Sequence, residues 1–381
     1  MEARILAASL GFHGLLGAIL DAQDEEWIAR QGRMREGGAI DLSTLGDDVW
    51  LMHFRFTRGE MGQLAEALDL PVVIQCPDSR NREDRMTALC MLLCRLTHPS
   101  RIDDLEMQFG WERSRFSRIS RLTAAAVYDR WKHLLRFDPH CLTKEKLAYF
   151  GKVVERHGAP LDSVVGFIDG TIRKIARPVR NQRIVYNGWK RIHCLKYHAI
   201  VTPDGLFAHV FGPVEGRRHD ETVFQQSQVA EILDKHFWSP DGRRLMIYGD
   251  PAYGVSGHVL CPFKGADLTE EQRRFNTSMS RNREAVEWGF KEISQQFPFL
   301  DYARNQRLLL SPCGLYYLVA IIFVNAHTIL HNPQISSYFQ CAPPTLDEYF
   351  TGGPVDDEEL DQWCLESPYE EMEIPEDDDN A

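Results

Sequence analysis

Two short apolar runs that each end on an aspartate constrain this chain more than any other feature. Residues 164–168 stop on Asp169-Gly170, and residues 245–249 stop on Asp250-Pro251. Apolar runs of this length bounded by turn residues are typical of buried strands. An unpaired charge is costly to desolvate, so each acid needs a cation, a donor or water beside it. If the strands lie side by side, the two carboxylates would repel each other unless a divalent metal ion sits between them.

The elements that surround these runs follow the order of a ribonuclease-H-like fold. They are the strand ending at Asp169, a hairpin of residues 193–201 and 206–212, a helix to about residue 235, the strand ending at Asp250, a short strand at 259–263 and a helix at 270–297. Turn residues join the hairpin, and a capping-box signature opens the last helix. We therefore predict an α/β fold whose ribonuclease-H-like catalytic domain, a mixed five-stranded sheet with helices, spans residues 160–335.

A centre that holds two metal ions needs a third carboxylate, normally from a helix packed across the sheet. The candidates in the last helix are Glu284, Glu287 and Glu292. Its apolar stripe consists of Val286, Phe290, Ile293 and Phe297. Glu287 lies roughly a quarter-turn from the centre of that stripe, from where it can reach the sheet edge, whereas the other two point away. A surface ladder of ion pairs formed by Arg283, Glu287 and Lys291 explains the spacing equally well.

The part of the chain before the sheet reads as helical. We predict an N-terminal helical region at residues 1–75 and a helix-turn-helix-like DNA-binding region at 76–140, with an all-helical character throughout. The second region contains a helix, a short helix ended by Gly110, and a longer helix. The longer helix carries the cations Arg113, Arg115, Arg118 and Arg121. A helical bundle with a solvated basic face gives the same pattern, so both interpretations stay open.

The connection after the first strand contains no acidic residue between Asp169 and Asp204. Its eight cations are Arg173, Lys174, Arg177, Arg180, Arg183, Lys190, Arg191 and Lys196. Solvated loops normally mix charges of both signs. With Tyr186 and Trp189 interleaved, the segment favours a surface that follows nucleic-acid phosphates over a solvated loop.

The net charge of -12 is unevenly distributed. From Asp347 to the end there are 15 acidic residues and no Lys or Arg, which leaves 43 basic and 40 acidic residues in the body. The body therefore admits nucleic acid as a partner. The composition of residues 345–381 is typical of an acidic disordered tail.

The sequence contains few features that indicate a cellular compartment. Nine scattered cysteines without a Cys-x-x-Cys pair look like reduced intracellular thiols, and no secretory signal is evident. Residues 308–330 carry no Lys, Arg, Asp or Glu and are long enough to span a bilayer. Because Pro312, Asn325 and His327 interrupt this run, we expect a buried core helix and no membrane association.

An ordered set of motifs resembles the Harbinger-type DDE transposases and their domesticated nuclease relatives. The motifs are Phe167-Ile168-Asp169-Gly170-Thr171, Gly212-Pro213-x-x-Gly216-x-x-His219-Asp220, Gly249-Asp250-x-x-Tyr253, Pro262-Phe263, Asn276-x-x-x-Ser280-x-x-Arg283-x-x-x-Glu287 and Ile329-Leu330-His331-Asn332. The resemblance covers about residues 163–333, and residues 85–135 are similar to the family's N-terminal region. The chain departs from the pattern at Ile172, where many members have histidine.

The resemblance implies that Asp169, Asp250 and Glu287 form a catalytic triad. These acids would hold two Mg²⁺ ions, for which Mn²⁺ can substitute, with Asp220 as an auxiliary acid next to His219. It further implies a nuclear DNA endonuclease and transposase that acts on transposon ends, with a Myb-like partner protein and a homo-oligomeric assembly. The alternatives are a domesticated DNA-binding protein that retains the fold without cleavage, and a nuclease for structured RNA.

Overall fold

A computed structural model describes residues 40–77, 81–180, 182–308 and 310–351. The chain divides into two compact units, one drawn from Met1–Arg95 and Ser100–Ala126 and the other from Leu96–Pro99 and Val127–Ala381. The prediction of helices at residues 1–39 and of disorder at residues 352–381 lies outside the described residues.

The first unit is mainly helical, but it also contains two short paired strands, so the predicted all-helical character is wrong. Its elements are a 3₁₀ turn Leu42–Thr44, helices α1 Asp47–Phe54, α2 Arg58–Ala67, α3 Arg85–Thr97, α4 Ile102–Phe109 and α5 Arg113–Trp131, and the antiparallel strands β1 Val73–Gln75 and β2 Arg82–Asp84. Helices α3 and α5 run on into the second unit.

The turn between α4 and α5 is built by a glycine and three stacked aromatic rings. Gly110 takes a left-handed conformation with φ of 68°, which ends α4 as a glycine does best. Trp111 stacks against Phe109 at 4.9 Å between ring centroids and against Phe116 at 5.7 Å. The three predicted helices are thus present in order, while their assignment as a helix-turn-helix stays a prediction.

The second unit is built around a mixed sheet. Its strands are β3 Val164–Lys174, β4 Tyr186–Asn187, β5 Ile192–Val201, β6 Phe207–Glu215, β7 Met246–Gly249 and β8 Val259–Leu260. The order across the sheet is β4-β5-β3-β7-β8, and β6 also pairs with β5. The β3–β5 and β5–β6 pairs are antiparallel, whereas β3–β7 and β7–β8 are parallel. The predicted mixed α/β architecture is confirmed, and its arrangement is consistent with a ribonuclease-H-like domain. The sheet has six strands instead of the predicted five, because the two-residue strand β4 also pairs with β5.

Helices cover this sheet. They are α6 Lys144–Arg156, α7 Gln182–Val185, α8 Asp220–Gln226, α9 Val229–His236, α10 Glu270–Gln296, α11 Cys313–His331, α12 Gln334–Phe339 and α13 Leu346–Tyr349, with 3₁₀ turns at Lys132–Leu135, Pro251–Tyr253 and Pro298–Asp301. The single helix predicted to end near residue 235 is two helices, because Gln228 takes a left-handed conformation with φ of 52°. The capping box predicted for α10 is present: the Thr269 side chain accepts from the Gln272 N–H.

Most of the apolar run at residues 308–330 lies in helix α11. This helix is long and apolar enough to cross a membrane, yet most of it is buried inside the structure. Asn325 is satisfied within this core, because its side chain exchanges two hydrogen bonds with the Phe207 backbone and donates a third to the Tyr349 hydroxyl. The helix therefore forms the core of the second unit, as expected.

The predicted boundary of the acidic tail needs a correction. Residues 345–350 are folded: Thr345 caps α13, and Leu346, Tyr349 and Phe350 are buried. Phe350 lies against Trp131, with 5.0 Å between ring centroids. The apolar side chains within this acidic stretch thus anchor it, and a disordered tail cannot begin before residue 351.

Candidate active site

The two strand-end aspartates come together through the register of the parallel pair β3–β7. Ile168 lies opposite Gly249, and this is the last aligned pair, so Asp169 and Asp250 both follow directly from it. The Asp250 carboxylate accepts the Ala252 N–H at 2.8 Å and caps the 3₁₀ turn Pro251–Tyr253. The Asp169 carboxylate accepts the Gly170 N–H, also at 2.8 Å. Both carboxylates are therefore held in defined orientations at one sheet edge.

Strand β3 does not end at Asp169, contrary to the sequence-based expectation. It continues to Lys174 because its other neighbour, β5, keeps pairing with it as far as Cys194. Only β7 stops at this level, at Gly249. The carboxylate of Asp169 thus emerges where β3 loses one neighbour and retains the other.

The packing beneath the aspartates requires glycine at position 249. A Cβ atom there would lie 2.6 Å from a methyl carbon of Ile168 and 3.1 Å from the Tyr253 ring. Real Cβ atoms do not approach other atoms so closely, so any side chain at this position would push the two strand ends apart. The glycine therefore permits the close approach of β3, β7 and Tyr253.

Glu287 of helix α10 joins Asp169 through Arg283. The Arg283 Nη1 atom lies 2.7 Å from Asp169 Oδ2, and its Nη2 atom lies 3.2 Å from Glu287 Oε1. The apolar stripe predicted for this helix is buried, whereas the Glu287 side chain is 56% exposed at the stripe's border. Glu292 instead accepts a hydrogen bond from Gln296 and lies near His327, and Glu284 is exposed. Of the three candidates, Glu287 is the one that the structure joins to Asp169.

The electrostatics of Asp169 reflect this crowding. Burial raises the pKa of its carboxyl group, and the neighbouring charges of Glu287 and Asp250 raise the pKa further. The Arg283 guanidinium and the Gly170 N–H oppose this shift by stabilising the charged form. The pKa of Asp169 is therefore raised in part by both other acids of the predicted triad.

Asp220 is held at the same site by a buried lysine. It opens helix α8 directly after the N-cap residue His219. The Lys196 ammonium group lies 2.8 Å from Asp220 Oδ1 and 2.6 Å from the Arg218 carbonyl oxygen. A Cβ atom on Gly170 would lie 3.7 Å from Asp220 Oδ1. Lys196 therefore positions Asp220 beside the residue that follows Asp169.

Tyr253 completes the cluster. Its side chain is 6% exposed, and among the described residues its hydroxyl oxygen has no hydrogen-bond partner. Burial raises the pKa of this hydroxyl well above its ordinary value, and the charges of Asp169, Asp220 and Asp250 add to the shift. A buried, unpaired hydroxyl among three acids is poised to donate to whatever they bind. The motif Gly249-Asp250-x-x-Tyr253 drew attention to this residue in the sequence, but no role could be assigned to its side chain from the motif.

Two of the predicted DNA-binding arginines are engaged inside the protein. The Arg173 side chain is 11% exposed and donates to Ser294 Oγ at 2.7 Å, Asp301 Oδ1 at 2.9 Å and the Phe290 carbonyl at 3.2 Å. Arg115 donates to the Arg82 carbonyl and forms an ion pair with the buried Glu83. These contacts hold both arginines against the protein, away from an anionic partner.

Apart from Lys196, which is buried against Asp220, the other predicted cations are exposed. Arg113 pairs with Asp103 at 3.0 Å on the surface of the first unit. The remaining exposed residues are Arg118 and Arg121 on α5, and Lys174, Arg177, Arg180, Arg183, Lys190 and Arg191 on the acid-free segment. These charges are available to an anionic partner.

The acids fit a hard divalent cation by their chemistry, since carboxylate oxygens are the ligands that Mg²⁺ and Mn²⁺ prefer. Within the described ranges, no group of three or more His, Cys, Asp or Glu side chains is arranged so that it could hold a metal ion. The Arg283 guanidinium contacts both Asp169 and Glu287.

Comparison with known proteins identifies a family that part of the chain resembles. Residues 168–332 match a family described as DDE superfamily endonuclease. No curated protein matches the chain, and neither does any solved structure. The matched range begins one residue before Asp169, ends one residue after α11, and contains Asp250, Glu287 and Tyr253.

Proposed function

We propose that the chain is a Mg²⁺-dependent DNA endonuclease of the transposase type, since residues 168–332 match the family described as DDE superfamily endonuclease. One observation carries the proposal. The register of β3 and β7 brings Asp169 and Asp250 to adjacent strand ends, and Arg283 links Asp169 to Glu287 on the facing helix. Three carboxylates from two strands and a helix form the donor set that a two-metal phosphodiesterase needs.

The triad would hold the metal. Asp169, Asp250 and Glu287 would bind two Mg²⁺ ions, with Mn²⁺ as a substitute. When bound, these ions would activate water for attack at phosphorus and stabilise the negative charge on the leaving oxygen. The strand ends contribute rigidity, because the Gly170 and Ala252 N–H groups fix one oxygen of each aspartate. Well-fixed ligands are required, since small displacements at such a centre cost large factors in rate.

Arg283 would have two positions in the working enzyme. Without metal it neutralises Asp169 and Glu287, which would otherwise repel each other and Asp250. If the acids hold cations, the guanidinium would be free to donate to an oxygen of the target phosphate, because its planar shape suits phosphate oxygens. Lys196 would keep Asp220 oriented throughout, because its contacts to Asp220 and Arg218 lie within the protein.

The acid-free segment would carry the DNA. Lys174, Arg177, Arg180, Arg183, Lys190 and Arg191 are exposed on a connection that contains no Asp or Glu. Strand β5 joins this segment directly to the residues that pair with Asp169. Cations in this arrangement bind phosphates of any sequence and bring the backbone to the acids. The exposed Arg118 and Arg121 of α5 would add contacts to the bases.

The finer assignment rests on the ordered motifs. We propose a Harbinger-type transposase or a nuclease derived from one, which acts on transposon ends in the nucleus, as a homo-oligomer with a Myb-like partner protein. Co-purification from nuclear extract tests the partner, and light scattering tests the assembly.

One observation favours a second candidate, a domesticated DNA-binding protein that retains the fold without cleavage. Arg283 occupies the space between Asp169 and Glu287. An arginine that never leaves would supply the positive charge in place of metal and would keep the centre inactive. DNA binding by the exposed cations would be unaffected.

An assay of DNA strand cleavage distinguishes the two candidate functions. The full chain is incubated with a supercoiled plasmid carrying the DNA that flanks its gene, with Mg²⁺, with Ca²⁺ or with a chelator. Endonuclease activity predicts nicked plasmid with Mg²⁺ alone, and none when Asp250→Asn is used. Plasmid that is bound and shifted but never nicked, with either Mg²⁺ or Mn²⁺, would favour the second candidate.

A further inference from the structure

The most exposed aromatic side chain that the structure describes stands at the tip of a hairpin. Trp189 is 89% exposed, in the four-residue turn of residues 188–191 that joins β4 to β5. Tryptophan is the largest side chain, and placing it almost wholly in water gives up the free energy that its burial would contribute. Such an exposed ring at a defined position indicates a surface that another molecule covers.

The turn that presents Trp189 is fixed from below by Asn187. This side chain is buried, its Oδ1 atom accepts the Lys190 N–H at 2.8 Å, and its Nδ2 atom donates to the Gly216 carbonyl at 2.9 Å. Pairing of Tyr186 with His193 closes the hairpin behind the turn. Because the backbone is already ordered, contact with a partner would cost little conformational entropy there.

The charges around the turn favour a nucleic acid as the partner. Lys190 and Arg191 adjoin Trp189 and are exposed, and the stretch between Asp169 and Asp204 contains no acid. Tyr186 is partly exposed and lies against His193, with 5.3 Å between ring centroids. Aromatic rings interleaved with cations bind single-stranded nucleic acid by stacking on bases while the charges hold phosphates.

Strand β5 connects this turn to the acids. Asp169 pairs with Ala199, which lies seven residues from Ile192 at the start of β5. At about 3.3 Å per residue, the strand spans about 23 Å. DNA that follows the strand advances 3.4 Å per nucleotide, so the same distance covers about seven nucleotides.

We propose that Trp189 stacks on a base of the bound DNA, about seven nucleotides from the phosphate that the acids cut. The inference rests on the proposed function and adds a contact to it. A ring can stack only on a base whose face is open, so the base is unpaired, flipped out or at a strand end. The turn at residues 188–191 would therefore select distorted or opened DNA over a continuous duplex.

The test compares dissociation constants by fluorescence anisotropy, using the full chain and two DNA probes. One probe is a paired 40-nucleotide duplex, and the other carries a bubble of three mismatched pairs. Trp189→Ala should weaken binding to the bubble DNA by about 5- to 100-fold, and binding to the paired duplex by far less. Trp189→Phe should recover most of the loss.

Two control variants separate stacking from charge. Val179→Ala removes an exposed apolar side chain from the same segment, 94% exposed, and should leave both constants unchanged. Lys190→Gln should reduce the slope of log K against log salt concentration by about 0.7 to 0.9, as the loss of one phosphate contact does. Trp189→Ala should keep the wild-type slope, because stacking releases no counterions.

The proposal is overturned if Trp189→Ala binds the bubble DNA as tightly as the wild-type chain does. It is equally overturned if this variant loses binding to vesicles containing phosphatidylserine while its DNA binding stays intact. Bubble DNA bound through Trp189 without any nicking would instead uphold the stacking and contradict only the proposed cleavage.

Discussion

The Arg283 guanidinium lies 2.7 Å from the carboxylate of Asp169, with both side chains about one-fifth exposed. A second nitrogen of the same group reaches Glu287 at 3.2 Å. The protein therefore balances its clustered acids with a cation of its own. Because neighbouring like charges repel, the arginine stabilises this arrangement of acids, and it would compete with metal for the same oxygens if the acids bind metal as proposed.

Arg283→Gln should increase the affinity for Mn²⁺. Hydrogen bonds to charged groups contribute about 1.5 kcal/mol or more, so removing the competitor should tighten binding by about tenfold. Titration with detection of free Mn²⁺ by electron paramagnetic resonance measures this without reference to activity. Arg281→Gln, an exposed change half a turn away, should leave the affinity unchanged. Weaker Mn²⁺ binding in Arg283→Gln would mean that the arginine positions the acids instead of competing for them.

Arg173 and Lys174 are adjacent in sequence, but we expect substitution of Arg173 to affect stability and substitution of Lys174 to affect DNA binding. Arg173→Gln should lower the free energy of unfolding by about 2–4 kcal/mol, because it removes a largely buried guanidinium from its ion pair with the half-exposed Asp301 and from two further hydrogen bonds. Lys174→Gln should leave stability within about 0.5 kcal/mol and weaken DNA binding. Urea unfolding and salt-dependent DNA titration of both variants measure the contrast. A stable Arg173→Gln protein with impaired DNA binding would reverse our assignment.

Arg115 and Arg118 form a similar pair on α5. Arg115 is engaged with Glu83 and the Arg82 carbonyl, so Arg115→Gln should destabilise the first unit by about 1–3 kcal/mol, since it leaves the buried Glu83 without this partner. Arg118 is exposed, and Arg118→Gln should change which DNA sequences are preferred if α5 enters a major groove. Selection of binding sites from a random pool reveals the difference. A uniform loss of affinity across sequences in Arg118→Gln would leave α5 as a contact to phosphates.

His198 should make the protein sensitive to acid. Burial lowers the pKa of its ring from 6.5 to about 3, and the pKa of the adjacent buried His209 is lowered as well. A histidine whose folded pKa is depressed binds its proton only in the unfolded chain, so stability falls as pH decreases from 6.5 toward 3. The loss from each such group approaches about 1.4 kcal/mol per pH unit.

His198→Leu removes one of these groups from an apolar environment of Phe211, Phe224 and Tyr253. Unfolding free energies measured between pH 7 and pH 4.5 should therefore fall less steeply for this variant than for the wild-type protein. Parallel curves would show that His198 accepts a proton within the folded state.

The sheet could be predicted from the sequence because its signals are local. The turn at residues 202–205 fixes a hairpin, and apolar runs bounded by turn residues mark the strands β3 and β7. The position of Glu287 followed from the helical spacing of Val286, Phe290 and Ile293, whose burial is observed. These features depend on neighbours a few residues away, which a sequence displays directly.

Partners that are distant in sequence could not be predicted. The local sequence gives no reason to expect different environments for Arg173 and the neighbouring Lys174. Arg173 is held by Asp301 and Ser294, more than 120 residues away, whereas Lys174 is exposed. The same holds for Arg283, whose second partner Asp169 lies 114 residues away, and for the pair of Lys196 with Asp220. Each of these contacts exists only because the sheet and helix α10 bring separate segments together.

The most direct test of the account compares Glu287→Gln with Glu284→Gln in Mg²⁺-dependent nicking of supercoiled plasmid. Both residues lie on α10, both are exposed, and neither substitution disturbs the buried stripe. Glu284→Gln therefore serves as a matched control for effects on folding. The account predicts that Glu287→Gln lowers the nicking rate by at least about a hundredfold, since a two-metal centre loses a ligand, while Glu284→Gln cuts at the wild-type rate. Normal nicking by Glu287→Gln would contradict the assignment of the third carboxylate and, with it, the proposed centre.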